Sequence, residues 1–192
     1  MEQTTQALDA AAERADVLGQ DEPRAFTDRL ASIVASLERE FPGAVMEHGV
    51  GLDMPAMRLR LEDWVACCRW LRDEPGLRYA LLSDLTAVDY LERSPRFDLV
   101  AHLYSHESQT YLRVKTGVEG AAPEAPTLCE VWPGANWLER EVWDMFGIRF
   151  VGHPDLRRIL TPDGWEYFAL RRDFPLQGPG MIKLYDSVKD VF

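Results

Sequence analysis

The sequence lacks the runs and motifs that mark membrane, redox and nucleotide-binding proteins. Among its 192 residues no stretch approaches the ~20 apolar residues that a membrane helix needs, so we expect any membrane link to run through partners. It contains no GxGxxG or GxxxxGK[ST] motif for nucleotide phosphates. Its three cysteines, Cys67, Cys68 and Cys129, form no CxxC pair. We therefore expect free thiols that fill apolar space in a reducing compartment, without a metal cluster.

Positive charge is also scarce, and it is unevenly distributed. Lys and Arg number 21 against 32 Asp and Glu, and the net charge of −11 argues against nucleic acid or anionic lipid as a partner. Residues 149–192 depart from this balance, with seven basic and six acidic side chains. Their arginines stand among prolines and aromatic residues, a composition typical of a protein–protein interface.

What the sequence does contain is a succession of short helix and strand patterns. The spacing of apolar residues predicts helices at 23–41, 62–71 and 135–146. Alternation of apolar and polar residues predicts strands at 44–52, 56–61, 77–82, 96–105 and 111–118. We expect residues 83–95 to be irregular and residues 117–126 to be a linker. This order predicts an α+β fold, with helices packed on one mixed or antiparallel sheet.

After residue 150 prolines and glycines interrupt every pattern. Pro154, Pro162, Pro175 and Pro179 leave no window that sustains a helix or a strand. About forty residues of irregular chain are unusual inside a compact domain. We therefore expect an extended C-terminal arm that binds a partner. The predicted division is a flexible segment at 1–22, an α+β domain at 23–150 and the partner-binding arm at 151–192.

Charged side chains near this boundary are the candidate functional residues. Glu139, Glu141 and Asp144 suggest acid–base chemistry, but no nucleophile or metal ligand converges on them in the sequence, so ion pairing is expected instead. Arg140 and Asp144 have the spacing of a helical ion pair. Two arginine doublets follow, and they stand among Trp165, Phe168 and Phe174: Arg157–Arg158 and Arg171–Arg172.

The arginine doublets predict contacts across an interface. Guanidinium groups beside aromatic rings suit bidentate contacts with the carboxylates of a partner. If Arg157 and Arg171 lie on the surface, replacing either should change the stability of the domain by no more than ~0.5 kcal/mol. We expect no catalytic, cofactor-binding or metal-ligating residue in this chain.

One stretch of the sequence resembles a known family. The residues EREVWDMFGIRFVGHPDLRRILTP (Glu139–Pro162) and LRRDFPL (Leu170–Leu176) closely resemble the 30-kilodalton subunit family of respiratory complex I, the C-type subunit of bacterial proton-pumping NADH:quinone oxidoreductase. The motif covers about a sixth of the chain. The family pattern commonly has Gly-His-Pro just before its second element, where this chain has Tyr167-Phe168-Ala169.

The resemblance implies a subunit without a redox centre or active site. It would belong to the hydrophilic arm, peripheral on the cytoplasmic side of the inner membrane. Its expected partners are the 49-kilodalton-type subunit (the D type) and the iron–sulfur subunits of the quinone module (types B and I). FMN, iron–sulfur clusters and quinone would be bound by other subunits. The predicted partner interface comprises Glu139, Arg140, Glu141, Asp144, His153, Arg157, Arg158, Trp165, Arg171, Arg172, Asp173 and Phe174.

Two alternatives stay open at this point. The chain is also similar to the corresponding subunit of a membrane-bound hydrogenase or of a ferredoxin- or deazaflavin-dependent quinone-reducing complex. A more remote alternative is a stand-alone hydrolase that uses Glu139 or Glu141 for acid–base catalysis.

Overall fold

The computed structural model describes residues 22–51, 54–162 and 164–176. The helices are α1 (Glu22–Glu40), α2 (Trp64–Asp73) and α3 (Ala135–Phe146). The strands are β1 (Val45–Val50), β2 (Pro55–Leu59), β3 (Leu81–Asp89), β4 (Phe97–Ser105), β5 (Thr110–Val118), β6 (Glu124–Pro126) and β7 (Arg149–Val151). The α+β class predicted from the sequence is confirmed. The predicted flexible segment, apart from Glu22, and residues 177–192 of the predicted arm lie outside the described residues.

Five strands form one mixed sheet in the order β1-β2-β5-β4-β3. Only the pairing of β2 with β5 is parallel, and the other pairs in this sheet are antiparallel. The short strands β6 and β7 pair in parallel as a second sheet. The predicted linker therefore contains a strand, and the predicted boundary after residue 150 falls within β7. Strands of three residues are too short to show a period in the sequence.

Strand β3 differs from its prediction. The sequence places a strand at 77–82 and irregular chain after it, whereas the structure has the strand at Leu81–Asp89. The pairing with β4 shifts between Leu82 and Asp84, which indicates a bulge. This bulge interrupts the alternation of buried and exposed residues, so the sequence pattern does not reveal the strand. The prediction of irregular chain was wrong for residues 83–89.

The core lies between the large sheet and the three helices. Helix α1 buries Leu30, Ile33 and Leu37 at helical spacing. Helix α2 buries Trp64, Cys67, Cys68 and Leu71. Burial raises the pKa of the Cys67 thiol to about 12, as expected for a cysteine that fills apolar space. Across the described parts of the chain, no helix is both long and apolar enough to span a membrane.

Helix α3 packs against β3, and its C-terminus is in close contact with Phe168 and Arg171. Gly147 follows the helix with φ of 72°, a left-handed conformation that glycine adopts without strain. A Cβ atom at this position would lie 2.5 Å from the Phe168 ring and 2.7 Å from the Arg171 guanidinium. Residues 168–171 therefore pack directly onto the C-terminus of α3.

Candidate functional site at helix α3 and the C-terminal segment

Residues 152–176 are called the C-terminal segment. Its described residues, 152–162 and 164–176, form neither helix nor strand, but the segment is attached to its own chain. The attaching hydrogen bonds run from Leu170 N to Met145 O (3.1 Å), from Arg171 Nε to Phe146 O (2.5 Å) and from Arg172 N to Asp89 Oδ2 (2.9 Å). The last carbonyls of a helix have no partner within the helix, so α3 offers acceptors at its C-terminus. Hydrogen bonds to its own chain therefore hold the described part of this segment, and its binding to a partner stays a prediction.

Asp144 is the main point of attachment. Its side chain is fully buried on α3. It accepts hydrogen bonds from Ile159 N (2.9 Å), Leu160 N (2.6 Å), Thr161 N (3.0 Å), Thr161 Oγ1 (2.5 Å) and Arg158 Nη1 (2.6 Å). Burial alone would raise the pKa of Asp144, but these donors outweigh it and hold the pKa well below its usual range. Asp144 thus stays ionised and holds one turn of the C-terminal segment.

Glu139 is buried on the same helix but in a different environment. It accepts hydrogen bonds from Thr127 Oγ1 (2.5 Å), Leu128 N (2.6 Å) and the Cys129 thiol (3.6 Å). No arginine or lysine among the described residues pairs with it. Burial raises the pKa of Glu139 to about 7, against the smaller opposing effect of these donors. Two carboxyl groups on one helix are therefore held in opposite protonation states at mildly acidic pH.

Arg140 also has an internal role. It is 8% exposed, and its Nε donates to Arg157 O at 3.1 Å. Its guanidinium lies 4.9 Å from the centroid of the Trp137 ring. The predicted pairing of Arg140 with Asp144 is replaced by the pairing of Arg158 with Asp144. Irregular chain of the same molecule supplies hydrogen-bonding partners for the buried Glu139, Arg140 and Asp144. Their contact with a partner subunit stays a prediction.

Each arginine doublet has one internal and one exposed side chain. Arg158 pairs with Asp144, and Arg171 lies over the Phe168 ring at 4.5 Å while it donates to Phe146 O. The Arg157 side chain is 73% exposed and forms a bidentate pair with Asp155. Arg172 is exposed as well. Aromatic rings and carbonyls of their own chain thus surround Arg158 and Arg171, and the predicted partner contacts of both doublets stay a prediction.

A second point of attachment was not found from the sequence. The buried Asp89 carboxylate forms two hydrogen bonds with Arg96, at 2.8 and 2.6 Å, and also accepts the amide of Arg172. The bond from Arg96 is the main reason that the pKa of Asp89 is well below its usual range. Arg96 also pairs with Asp173 at 3.0 Å, so this predicted interface residue has an internal partner. Nothing in the sequence spacing links residues so far apart.

The described residues contain one group with a composition suited to metal: Cys129, Glu139 and His153, whose ligand atoms lie within 4.8 Å of one another. Asp155 N donates to His153 Nδ1 at 3.0 Å, so Nε2 carries the proton and donates to Asn136 O at 3.1 Å. The ring therefore aims no lone pair at the group, whereas a ligating histidine donates from its other nitrogen. The geometry is that of a hydrogen-bonded network.

The same group does not support the hydrolase alternative. Burial raises the pKa of Cys129 to about 11, so the thiol is un-ionised near neutral pH and gives Glu139 no nucleophile. Glu141 is exposed, on a different side of α3 from the buried Glu139. The carboxyl groups of these two glutamates therefore do not converge on a common site.

The exposed side chains of α3 and the C-terminal segment form what we call the outer surface. Its large apolar members are Trp137, Leu160, Tyr167, Leu170 and Leu176. Trp137 is 63% exposed and Leu160 is 61% exposed. Of the predicted interface residues, Glu141, Arg157, Arg172 and Asp173 are also exposed. Trp165 and Phe174 are half-buried, and the ring of each contacts the Tyr167 ring. Exposed apolar side chains mark a surface that other proteins cover where they form one contiguous patch.

Comparison with known protein sequences points to one family. The sequence model of the family described as respiratory-chain NADH dehydrogenase, 30 Kd subunit, matches residues 57–180. The C 2 subunit of the NADH-quinone oxidoreductase of Rhizobium meliloti (strain 1021) is 45% identical over 149 residues, which cover 78% of this chain and 79% of that relative. The C subunit of the NADH-quinone oxidoreductase of Geotalea uraniireducens (strain Rf4) is 45% identical over 146 residues, which cover 76% of this chain and 88% of that relative.

Two solved structures share the fold. A trypsin-resistant fragment (1-134) of Nqo5 matches with a TM-score of 0.55 and 28% identity, covering 67% of this chain and 99% of the fragment. A chain of the membrane-bound sulfane sulfur reductase, an archaeal respiratory membrane complex, matches with a TM-score of 0.65 and 24% identity. That match covers 83% of this chain and 91% of the other, and at this identity it shows the fold alone.

Proposed function

Because the chain belongs to the 30 Kd subunit family of respiratory-chain NADH dehydrogenase, we propose that it is a non-redox subunit of a proton-translocating NADH:quinone oxidoreductase. Its outer surface docks on the 49-kilodalton-type subunit, with the iron–sulfur subunits of the quinone module nearby. FMN, iron–sulfur clusters and quinone are bound by those other subunits. The chain lies peripherally on the cytoplasmic side of the membrane and supplies a shaped surface for assembly.

The main support for this proposal is that large apolar side chains are exposed on backbone that hydrogen bonds hold in place. Leu160 projects from the turn whose amides are bound by Asp144, and Trp137 stands beside the Arg140 guanidinium. Side chains that are already fixed in place lose little conformational entropy on binding. Trp and Arg are enriched among the residues that dominate binding energy, and the exposed Arg157 stands three positions before Leu160. The outer surface therefore has the composition of an interface core with a charged rim.

The solved fragment of Nqo5 supports a division between a stable domain and the C-terminal residues. That fragment resists trypsin and covers 67% of this chain. In this protein the C-terminal segment is attached chiefly through Asp144 and Asp89, without a helix or a strand of its own. We propose that residues 23–150 form the stable domain and that residues 151–192 are its partner-binding extension.

Two substitutions on the outer surface test the docking proposal. The chain is co-expressed with the 49-kilodalton-type subunit of its own organism, and recovery of that subunit on the tagged chain is measured. Trp137→Glu and Leu160→Glu should each lower recovery at least tenfold, because a buried carboxylate in an interface core costs more than ~1.4 kcal/mol. Met46→Glu is the matched control, since Met46 is 64% exposed on β1 and should leave recovery unchanged.

Recovery of the partner at the unsubstituted level in both variants would contradict docking through the outer surface. Mass spectrometry of the chains purified from native membranes then identifies the complex. Flavin- and NADH-binding subunits agree with the proposal. A large subunit with nickel-ligating cysteines, or ferredoxin- or deazaflavin-dependent subunits, would replace it with the corresponding alternative.

A further inference from the structure

Arg140 on α3 is a buried cation for which the described residues provide no carboxylate. The residue is 8% exposed. No Asp or Glu oxygen of the described residues lies within 4.0 Å of its guanidinium nitrogens. Removing a charge from water is costly unless an opposite charge or enough hydrogen bonds replace the water. The burial of this guanidinium therefore calls for an explanation that the fold of the chain does not supply.

Three other arginines whose side chains are largely buried show the usual arrangement. Each pairs at 2.5 or 2.6 Å with an aspartate whose side chain is at most 2% exposed: Arg58 with Asp98, Arg96 with Asp89, and Arg158 with Asp144. In these three places the chain buries a guanidinium together with its counter-charge. Arg140 is more deeply buried than these half-buried arginines and lacks such a carboxylate.

Two contacts fix the guanidinium of Arg140 in place. Its Nε donates to Arg157 O at 3.1 Å, and its central carbon lies 4.9 Å from the centroid of the Trp137 ring. The four N–H groups on Nη1 and Nη2 have no acceptor among the described residues. Neither nitrogen belongs to the fully buried side-chain nitrogens without a partner, so both reach the surface. Arg140 therefore presents a planar pair of donors next to the exposed Trp137.

The carboxylates nearest in sequence are engaged elsewhere. Both oxygens of Asp155 accept hydrogen bonds from Arg157, at 2.6 and 2.7 Å. Glu139 and Asp144 are buried and accept hydrogen bonds from the backbone amides of Leu128 and Leu160, among other donors. Glu141 is exposed, and adjacent residues of a helix do not face each other. The donors of Arg140 are thus left for an acceptor outside the described residues.

We propose that Arg140 binds a side-chain carboxylate of the partner subunit, which enters beside Trp137 and accepts hydrogen bonds from Nη1 and Nη2. This inference rests on the proposed docking through the outer surface and names the chemistry of one contact: an Asp or Glu of the 49-kilodalton-type subunit. A planar guanidinium matches a carboxylate in two parallel hydrogen bonds, and its fixed orientation reduces the entropy lost on binding. The partner that covers the Trp137 ring would also exclude water from this ion pair, which strengthens it.

Replacing Arg140 separates a role in binding from a role in folding. Arg140→Met removes a buried charge without a carboxylate and keeps an apolar side chain, so the melting temperature of the isolated full chain should not fall. Recovery of the co-expressed 49-kilodalton-type subunit should fall at least tenfold, because its carboxylate would be buried without a counter-charge. Arg140→Lys keeps the charge without the planar donors and should give intermediate recovery. The control Arg39→Met removes an exposed arginine of α1 and should change neither quantity.

A comparison with the docking variants keeps the two proposals apart. If Trp137→Glu and Leu160→Glu lower recovery of the partner but Arg140→Met does not, docking through the outer surface stands and the role of Arg140 is overturned. If none of the three variants lowers recovery, both proposals are wrong.

Chemical coupling identifies the carboxylate directly, including the case in which Arg140→Met does not fold. In the complex purified with Arg140→Lys, a carbodiimide joins the introduced amine to a carboxylate in direct contact, and mass spectrometry locates the link. A link from position 140 to an Asp or Glu of the 49-kilodalton-type subunit agrees with the proposal. A link to Asp155 of the same chain, or no link from this position, contradicts it.

Discussion

Replacing Asp144 with Asn is expected to lower the free energy of unfolding by roughly 3 kcal/mol. The single carbonyl oxygen of Asn cannot accept the amides of Ile159, Leu160 and Thr161 together with the Thr161 hydroxyl. The substitution also leaves Arg158, whose side chain is only 14% exposed, without its carboxylate. Urea unfolding at pH 7 measures the loss. Glu141→Gln, on the exposed side of the same helix, should stay within ~0.5 kcal/mol of the unsubstituted chain.

The pH dependence of this effect gives a second readout. The pKa of Asp144 is lowered by folding, so its contribution to stability is fully present above the ordinary value of 3.8. That contribution is lost as the pH falls from there towards the lowered pKa. The stability difference between Asp144→Asn and the unsubstituted chain should therefore shrink in strong acid. A difference under ~0.5 kcal/mol at pH 7 would mean that Asp144 does not hold the C-terminal segment.

Replacing Arg171 with Glu should destabilise the chain by about 3 kcal/mol, which is roughly 10 °C in melting temperature for a protein of this size. Arg171 donates to Phe146 O and lies over the Phe168 ring, and the new carboxylate would face that carbonyl near Asp173 and Asp89. This reverses the expectation from the sequence, which treats Arg171 as a surface residue.

Arg157→Glu is the matched comparison for Arg171. The two arginines belong to similar doublets, but the Arg157 side chain is 73% exposed. Its replacement should change the free energy of unfolding by no more than ~0.5 kcal/mol and should act only on recovery of the partner. Thermal unfolding of both variants checks this contrast. Equal melting temperatures for the two variants would contradict the internal role of Arg171.

Apolar periodicity was enough to predict most of the domain. Leu30, Ile33 and Leu37 lie on one face of α1, and the pattern from 96 to 118 predicted β4 and β5 closely, because one apolar face per element is a local property. The same periodicity did not predict β3, because a single extra residue at its bulge reverses which side chains point inward. The family motif was readable because it is long and continuous.

The roles of the charged residues could not be predicted in the same way. The sequence treats Asp144 and Arg158 as members of separate surface features, whereas folding buries them as one ion pair. Their contact joins residues fourteen positions apart across chain that has no period. Likewise, Glu139 and His153 meet only because the C-terminal segment returns to α3. A buried charge is identified by its partners, and tertiary contacts decide which partners it has.

Amide hydrogen exchange of the chain in isolation tests most directly whether α3 itself holds the C-terminal segment. The amides of Ile159, Leu160 and Thr161 donate to Asp144 and should exchange at least a hundredfold more slowly than their intrinsic rates without any partner present. Asp144→Asn should abolish that protection. Exchange of these amides at intrinsic rates in the isolated chain, with protection only in the assembled complex, would show that a partner shapes the segment.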